Sequence, residues 1–208
     1  MCYNVFCYFI VNGNAGYDIK VVDIMISDSL RNRTLCFSGH RPEKLPCKGD
    51  SFAESTRMLK SFLYSSILES IDNGYTRFIT GLAKGVDLWA GEILVELKKT
   101  GHNITIISAA PYEHHGESFR GQDRAVLNSI LENSDDVVYI SSQYTKDCMR
   151  KRNYYMIDQS SKLIAVVSDY KSGTGQTISY AKKQGLDIKI FEMKNIFDFD
   201  PDQTTLLL

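Results

Sequence analysis

Six short apolar runs recur along the chain, at 34–38, 77–80, 104–109, 136–140, 163–167 and 187–191, and each reads as a strand. Stretches of helical spacing separate them. Leu59, Phe62, Leu63, Ile67, Leu68 and Ile71 form one inner face, stopped by Asn73-Gly74 and opened by Ser51 and Glu54 in the pattern of a capping box. Val86, Trp89, Ala90, Ile93, Leu94 and Leu97 form the next. Weaker helical patterns follow at 125–131, at 147–160, and around Ile178 and Ala181 up to Gly185, whereas 112–121 reads as a polar loop. Leu163-Ile164-Ala165-Val166-Val167 is apolar without interruption, as expected of a central parallel strand covered on both faces. About six strands alternating with five helices predict an α/β fold: a doubly wound, mostly parallel sheet with right-handed crossovers.

The ends carry less pattern. Residues 1–32 read either as a hairpin, with strands at 3–11 and 19–26 around Asn12-Gly13-Asn14, or as a poorly ordered extension. Met25 is an alternative chain start, followed by a polar lead into the first strand. The organisation expected is an extension over 1–32, one domain over 33–193, and an acidic, exposed tail over 194–208.

Composition narrows the function classes. With 208 residues, 43% hydrophobic and 24% charged, the chain has room for a full globular core. A net charge of −1 gives no strongly basic surface, so nucleic acid is an unlikely partner on charge alone. The five cysteines form no CxxC pair and no Cys/His cluster of zinc spacing, so no metal is expected, and they read as free thiols of a reducing compartment. No apolar stretch approaches the ~20 residues of a membrane helix, and the apolar N-terminus has no basic leader. The expected location is the cytoplasm. The adjacent His114 and His115 read as a polar loop pair.

Three strand ends carry the candidate chemistry. Thr80-Gly81-Leu82-Ala83-Lys84-Gly85-Val86-Asp87 is a glycine loop feeding a helix N-terminus, where unpaired N–H groups and the positive dipole end can hold phosphate. Ser172-Gly173-Thr174-Gly175 follows the central apolar run in the same way. Ser38-Gly39-His40-Arg41-Pro42 places an imidazole and a guanidinium just past another strand, and Arg41 can form a two-pronged contact with phosphate. In a parallel sheet such loops share the carboxyl edge and can close on one ligand. In the run Met149-Arg150-Lys151-Arg152, helical spacing sets Arg152 under Met149 and Met156, which read as core positions, and so directs that cation towards the ligand edge. The expected ligand-binding residues are Gly39, His40, Arg41, Gly81, Leu82, Ala83, Gly85, Val86, Asp87, Arg152, Ser172, Gly173 and Thr174. No complete GxGxxG follows the first strand, so no dinucleotide cofactor is expected from motif, and no catalytic set stands out.

Together, Ser38-Gly39-His40-Arg41-Pro42, Thr80 to Ala90, and Arg152-Asn153-Tyr154-Tyr155-Met156-Ile157-Asp158 leading to Ser172-Gly173-Thr174 resemble the SLOG superfamily and, within it, the YpsA-like proteins of bacteria and phages. The resemblance implies a Rossmann-like domain that binds nucleotides or their derivatives, a cytosolic sensor or regulator role, and a homodimer as one possible assembly. The superfamily also contains the Lonely Guy phosphoribohydrolases and DNA-processing protein A, which keeps two alternatives open: hydrolysis of nucleoside monophosphates, and binding of single-stranded nucleic acid. The hydrolases carry PGGxGTxxE. Here Ser172-Gly173-Thr174-Gly175-Gln176-Thr177-Ile178 has no such glutamate, and Asp87, Glu92, Glu113 and Glu117 are the remaining acid or base candidates. Asp87 also has a bland reading, as a helix cap.

Overall fold

Leu35 and Phe37 enter one apolar core while Cys36, between them, enters another, so the strand Thr34–Gly39 is buried on both faces. The same alternation runs through the neighbouring strands and fixes a three-layer architecture. The computed structural model describes residues 9–10, 27–45, 48, 50 and 53–194. Its strands are β1 (Phe9–Ile10), β2 (Thr34–Gly39), β3 (Arg77–Thr80), β4 (Thr105–Ala110), β5 (Asp136–Tyr139), β6 (Lys162–Val167) and β7 (Asp187–Glu192). They form one sheet in the order β1-β5-β4-β3-β2-β6-β7. β2 to β7 pair in parallel; the two-residue β1 is antiparallel to β5 at one edge.

Helices α2 (Glu54–Asp72), α3 (Val86–Lys99) and α4 (Gly121–Asn133) cover one face, with Leu59, Leu63, Ile67, Leu94 and Leu127 packed against Phe37, Phe78 and Ile106. Helices α5 (Cys148–Asp158) and α6 (Gly173–Lys183) cover the other, through Met156, Ile157, Ile178 and Ala181. Burying one such large side chain contributes about 1.5–3 kcal/mol, which outweighs the few tenths per residue of helix propensity. Arg150, Lys151 and Arg152 favour the helix by propensity, and burial of Met156 and Ile157 docks α5 on the sheet. α2 ends where the sequence indicates: Asn73 caps Glu69 O through its side chain at 2.8 Å, and Gly74 takes φ +86.

The mostly parallel sheet and its six parallel strands agree with expectation, each strand within a residue or so of the predicted bounds. Four details differ. A four-residue helix, α1 (Asp28–Arg31), occupies the polar lead into β2. α4 begins at Gly121 rather than at 125; its first turn is solvated and only Leu127 and Ile130 are buried, which leaves little apolar signal upstream. α6 starts at Gly173, so the second glycine loop is the first turn of a helix, N-capped by Ser172 Oγ accepting from Gly175 N at 3.3 Å. Met149 is half-exposed, while Met156 is buried in the core as expected. The hairpin expected at 3–26, apart from Phe9–Ile10, the cap residue Ser51 and the tail at 195–208 lie outside the described residues. Among the described residues no helix is long and apolar enough to cross a membrane.

Candidate functional site

The strand order reverses between β2 and β6: the chain runs from β2 out to β5, then returns to the far side of β2. Loops leaving two such strands diverge in opposite directions and leave a crevice at their carboxyl ends. A cleft of about 410 Å³ lies at that point, bounded by the loops after β2 and β3 and by the first turns of α5 and α6.

The loop after β3 is held from within. Thr80 Oγ1 donates to Asp87 O at 2.8 Å, tying the strand end to α3. Leu82 takes φ +61 and Gly85 φ +85, the latter against His40 O, so a side chain at 85 is strained by both conformation and contact. Gly81 is not in a left-handed conformation. Its missing Cβ makes room for the Arg152 guanidinium, which lies against it and donates to Gly81 O through Nη1.

Arg152 and Asp87 are the electrostatic centre. Both are buried, 4% and 5% exposed, and Arg152 Nη1 reaches Asp87 Oδ2 at 3.1 Å. Asp87 Oδ2 also accepts from Ala83 N at 3.4 Å. Burial raises the Asp87 pKa and lowers that of Arg152, and their mutual attraction opposes both shifts. Arg152 Nε is buried and has no hydrogen-bond partner among the described residues. Arg41, exposed at the rim, has neither an ion-pair nor a side-chain hydrogen-bond partner among them. His40 is buried, and its Nε2 accepts from Ser168 N at 3.0 Å, a bond that joins the β2 and β6 loops. Burial and then Lys44 lower its pKa, so the ring is neutral.

Of the residues expected to bind ligand, Gly39, His40, Arg41, Ala83, Asp87, Arg152, Ser172, Gly173 and Thr174 line this cleft. Gly81, Leu82, Gly85 and Val86 do not. Gly81 lies behind Arg152, Leu82 and Val86 belong to the core, and the Gly85 and Val86 backbone is buried at the start of α3. The α6 N-terminus does line the cleft, through Gly173 and Thr174, and a Cβ at Gly173 would meet open space. Arg152 pairs with Asp87, while the carboxylates on and beside its own helix are engaged elsewhere: Asp158 accepts from Tyr180 OH, and Asp147 pairs with Lys151.

Other residues enter the site that were not among the expected ligand contacts. Ser38, Glu43, Lys44, Met149 and Asn153 also line the cleft. Glu43 and Lys44 directly follow the Gly39-His40-Arg41 motif, and Asn153 directly follows Arg152; adjacency was the available signal. His115 is not a solvated loop residue: its Nε2 donates to Leu82 O at 3.1 Å and burial lowers its pKa to about 4. Only His114 is exposed, bonded to Glu117 at 2.9 Å. Among the acid candidates, Asp87 alone lines the cleft; Glu92 pairs with Lys60 at 3.2 Å on the flank, and Glu113 is exposed.

A larger cavity, about 730 Å³, lies between α2, α3 and α4 on the outer face. It gathers Lys60, Glu92, Glu96 and Lys99 around apolar groups but no buried polar atom without a partner, so the smaller cleft is the better candidate.

Comparison with known proteins agrees with this architecture. The chain is 31% identical over 160 residues to the uncharacterized SPbeta prophage-derived protein YoqJ of Bacillus subtilis (strain 168), covering 70% of this chain and 93% of that one. It is 24% identical over 157 residues to a UPF0398 protein of Bacillus cereus (strain B4264), covering 74% and 84%. DNA processing protein A from Helicobacter pylori superposes with a TM-score of 0.57 at 17% identity, covering 92% of this chain and 87% of that one, a likeness of fold. The YspA SLOG family model matches residues 35–197, which contain β3 to β7, all of β2 but its first residue, and every residue of the cleft, and the chain belongs to that family.

Proposed function

We propose that the cleft binds a nucleotide or nucleotide derivative through its phosphate and that the protein is a cytosolic sensor or regulator. The observation that carries this reading is Arg152: a buried guanidinium with Nη1 engaged by Gly81 and Asp87 and Nε without a partner. Leaving a buried donor of a charged group unmatched costs about 1–3 kcal/mol or more, a cost an anionic ligand would relieve. Arg41 at the rim and the α6 N-terminus add two further donors for an anion, one bidentate and one from backbone N–H groups. Hydrolysis of a glycosidic bond is not assigned, because Asp87, the buried carboxylate here, is held by Arg152 and Ala83. Isothermal titration against nucleoside phosphates is the test: saturable binding that Arg41→Ala weakens supports the reading, and no binding across the panel overturns it.

A second reading is single-stranded nucleic acid. Lys146, Arg150 and Tyr154 line a cavity adjoining the cleft, and cations beside an aromatic ring suit a strand of stacked bases. The Helicobacter pylori protein of similar fold is described as binding single-stranded DNA. The net charge of −1 weighs against it. A gel-shift titration at two salt concentrations decides, since phosphate contacts weaken steeply with salt.

A further inference from the structure

The cleft has a neighbour on each side. Towards β4 lies a cavity of about 260 Å³ lined by Tyr112, His115 and Phe119. Between α5 and α6 lies one of about 450 Å³ lined by Lys146, Arg150, Tyr154 and Gln176. Arg41, Glu43 and Ala83 border both the first of these and the central cleft; Asn153 and Gly173 border both the second and the cleft. Met149 borders all three. Ligand sites commonly measure about 300–1,000 Å³. Singly these three lie at or below the lower part of that range, and joined they reach its upper end.

The two flanks share a chemistry that the centre lacks. On one, Tyr112 meets His115 edge-on with ring centroids 5.5 Å apart, and His115 meets Phe119 at 5.5 Å. The imidazole is neutral and held by Leu82 O, and Lys84 Nζ lies over the Phe119 ring at 4.8 Å, so this wall offers aromatic surface with a cation beside it. On the other, Tyr154 stacks on Tyr180 at 4.0 Å, and Gln176, exposed on α6, has an amide that can donate and accept at the edge of a base. The centre holds the unpartnered nitrogen of Arg152, the Arg41 guanidinium and the first turn of α6.

From this juxtaposition of an anion-seeking centre between two aromatic-walled cavities, resting on the nucleotide reading above, we infer that the ligand is a dinucleoside whose two nucleosides are joined by a phosphate bridge. The bridge lies over Arg152 and the α6 N-terminus. One base occupies the Tyr112 cavity and the other the Tyr154 cavity, with Met149, an adaptable apolar side chain, at the junction.

Calorimetric titration of the full chain with diadenosine diphosphate, AMP and a twelve-residue oligothymidylate tests this. Expected is an affinity for the dinucleoside at least about tenfold above that for AMP, its half molecule. Tyr112→Ala and Tyr154→Ala should each weaken the dinucleoside roughly five- to a hundredfold, the loss typical of one base–aromatic stack, whereas only one of the two should weaken AMP. Circular dichroism confirms that each variant is folded; if Tyr154→Ala is not, the exposed Gln176→Ala replaces it. Equal affinities for the dinucleoside and AMP, or a dinucleoside affinity that neither flank variant changes, overturn the inference and leave the nucleotide reading standing. Tight binding of the oligonucleotide with none of the dinucleoside overturns it in favour of the nucleic-acid reading. No binding of any probe overturns both.

Discussion

Arg152 of α5 and Asp87 of α3 form a buried ion pair, Nη1 to Oδ2 at 3.1 Å, between helices that cover opposite faces of the sheet. The pair passes over the carboxyl end of β3, where Arg152 also holds Gly81 O. Burial against Asp87 makes Arg152 a contributor to the fold as well as to the cleft. Removing one partner strands the other charge in a dry site, so Asp87→Ala or Arg152→Ala should each lower the unfolding free energy by about 3–5 kcal/mol. The double variant should lose less than the sum of the two. Urea unfolding of the three variants checks this, and single losses below about 0.5 kcal/mol would refute the pair.

Two glycines of the site should behave oppositely. A Cβ at Gly81 would collide with the Arg152 guanidinium, so Gly81→Ala should destabilise by an overpacking cost of roughly 1–3 kcal/mol. At Gly173 a Cβ meets nothing, so Gly173→Ala should keep stability within about 0.5 kcal/mol while weakening nucleotide binding at the α6 N-terminus. Thermal unfolding with and without nucleotide separates the two.

Arg41→Ala isolates binding from folding. The side chain is exposed at the rim without an ion-pair partner among the described residues, so the melting temperature of the free protein should not move. Loss of a charge-assisted contact worth about 1.5–3 kcal/mol should weaken nucleotide about ten- to a hundredfold by calorimetry.

Acid should destabilise the fold through its buried imidazoles. The His115 pKa falls from 6.5 to about 4 because burial disfavours the cation, with Arg152 and Arg41 nearby reinforcing the shift and the bond to Leu82 O opposing it. Between those values the unfolded chain binds a proton that the folded one does not, so stability is fully present above about pH 6.5 and is lost as pH falls through 4, by about 3 kcal/mol. His40 is shifted in the same direction by burial and Lys44. In chemical unfolding followed from pH 7 to 4, His115→Gln should flatten the slope; an unchanged slope would remove His115 as its cause.

The parallel sheet was legible because its strands are short apolar runs buried on both faces, a pattern that needs no partner to be read. The cleft's cationic side was legible for the same kind of reason: Arg41 and Gly173 lie in motifs at strand ends. What could not be read was long-range pairing. Nothing local says that Arg152 meets Asp87, 65 positions away, or that His115 turns inward to Leu82 O, 33 positions away. The glycines misled for a related reason. Gly81 and Gly85 look equivalent in sequence, yet one answers a neighbouring side chain and the other a backbone torsion.

β2 and β6 are paired on both sides within the sheet, and nearly all their residues are buried. Strands in that position open only when most of the molecule does, so the floor of the crevice keeps its shape in the absence of anything bound there. A molecule docking on it therefore finds most of the backbone ordering already complete. The conformational entropy still to be lost lies in the rim side chains, chiefly Arg41 and Lys44. The topology that opens the crevice also gives it a rigid floor and a soft rim.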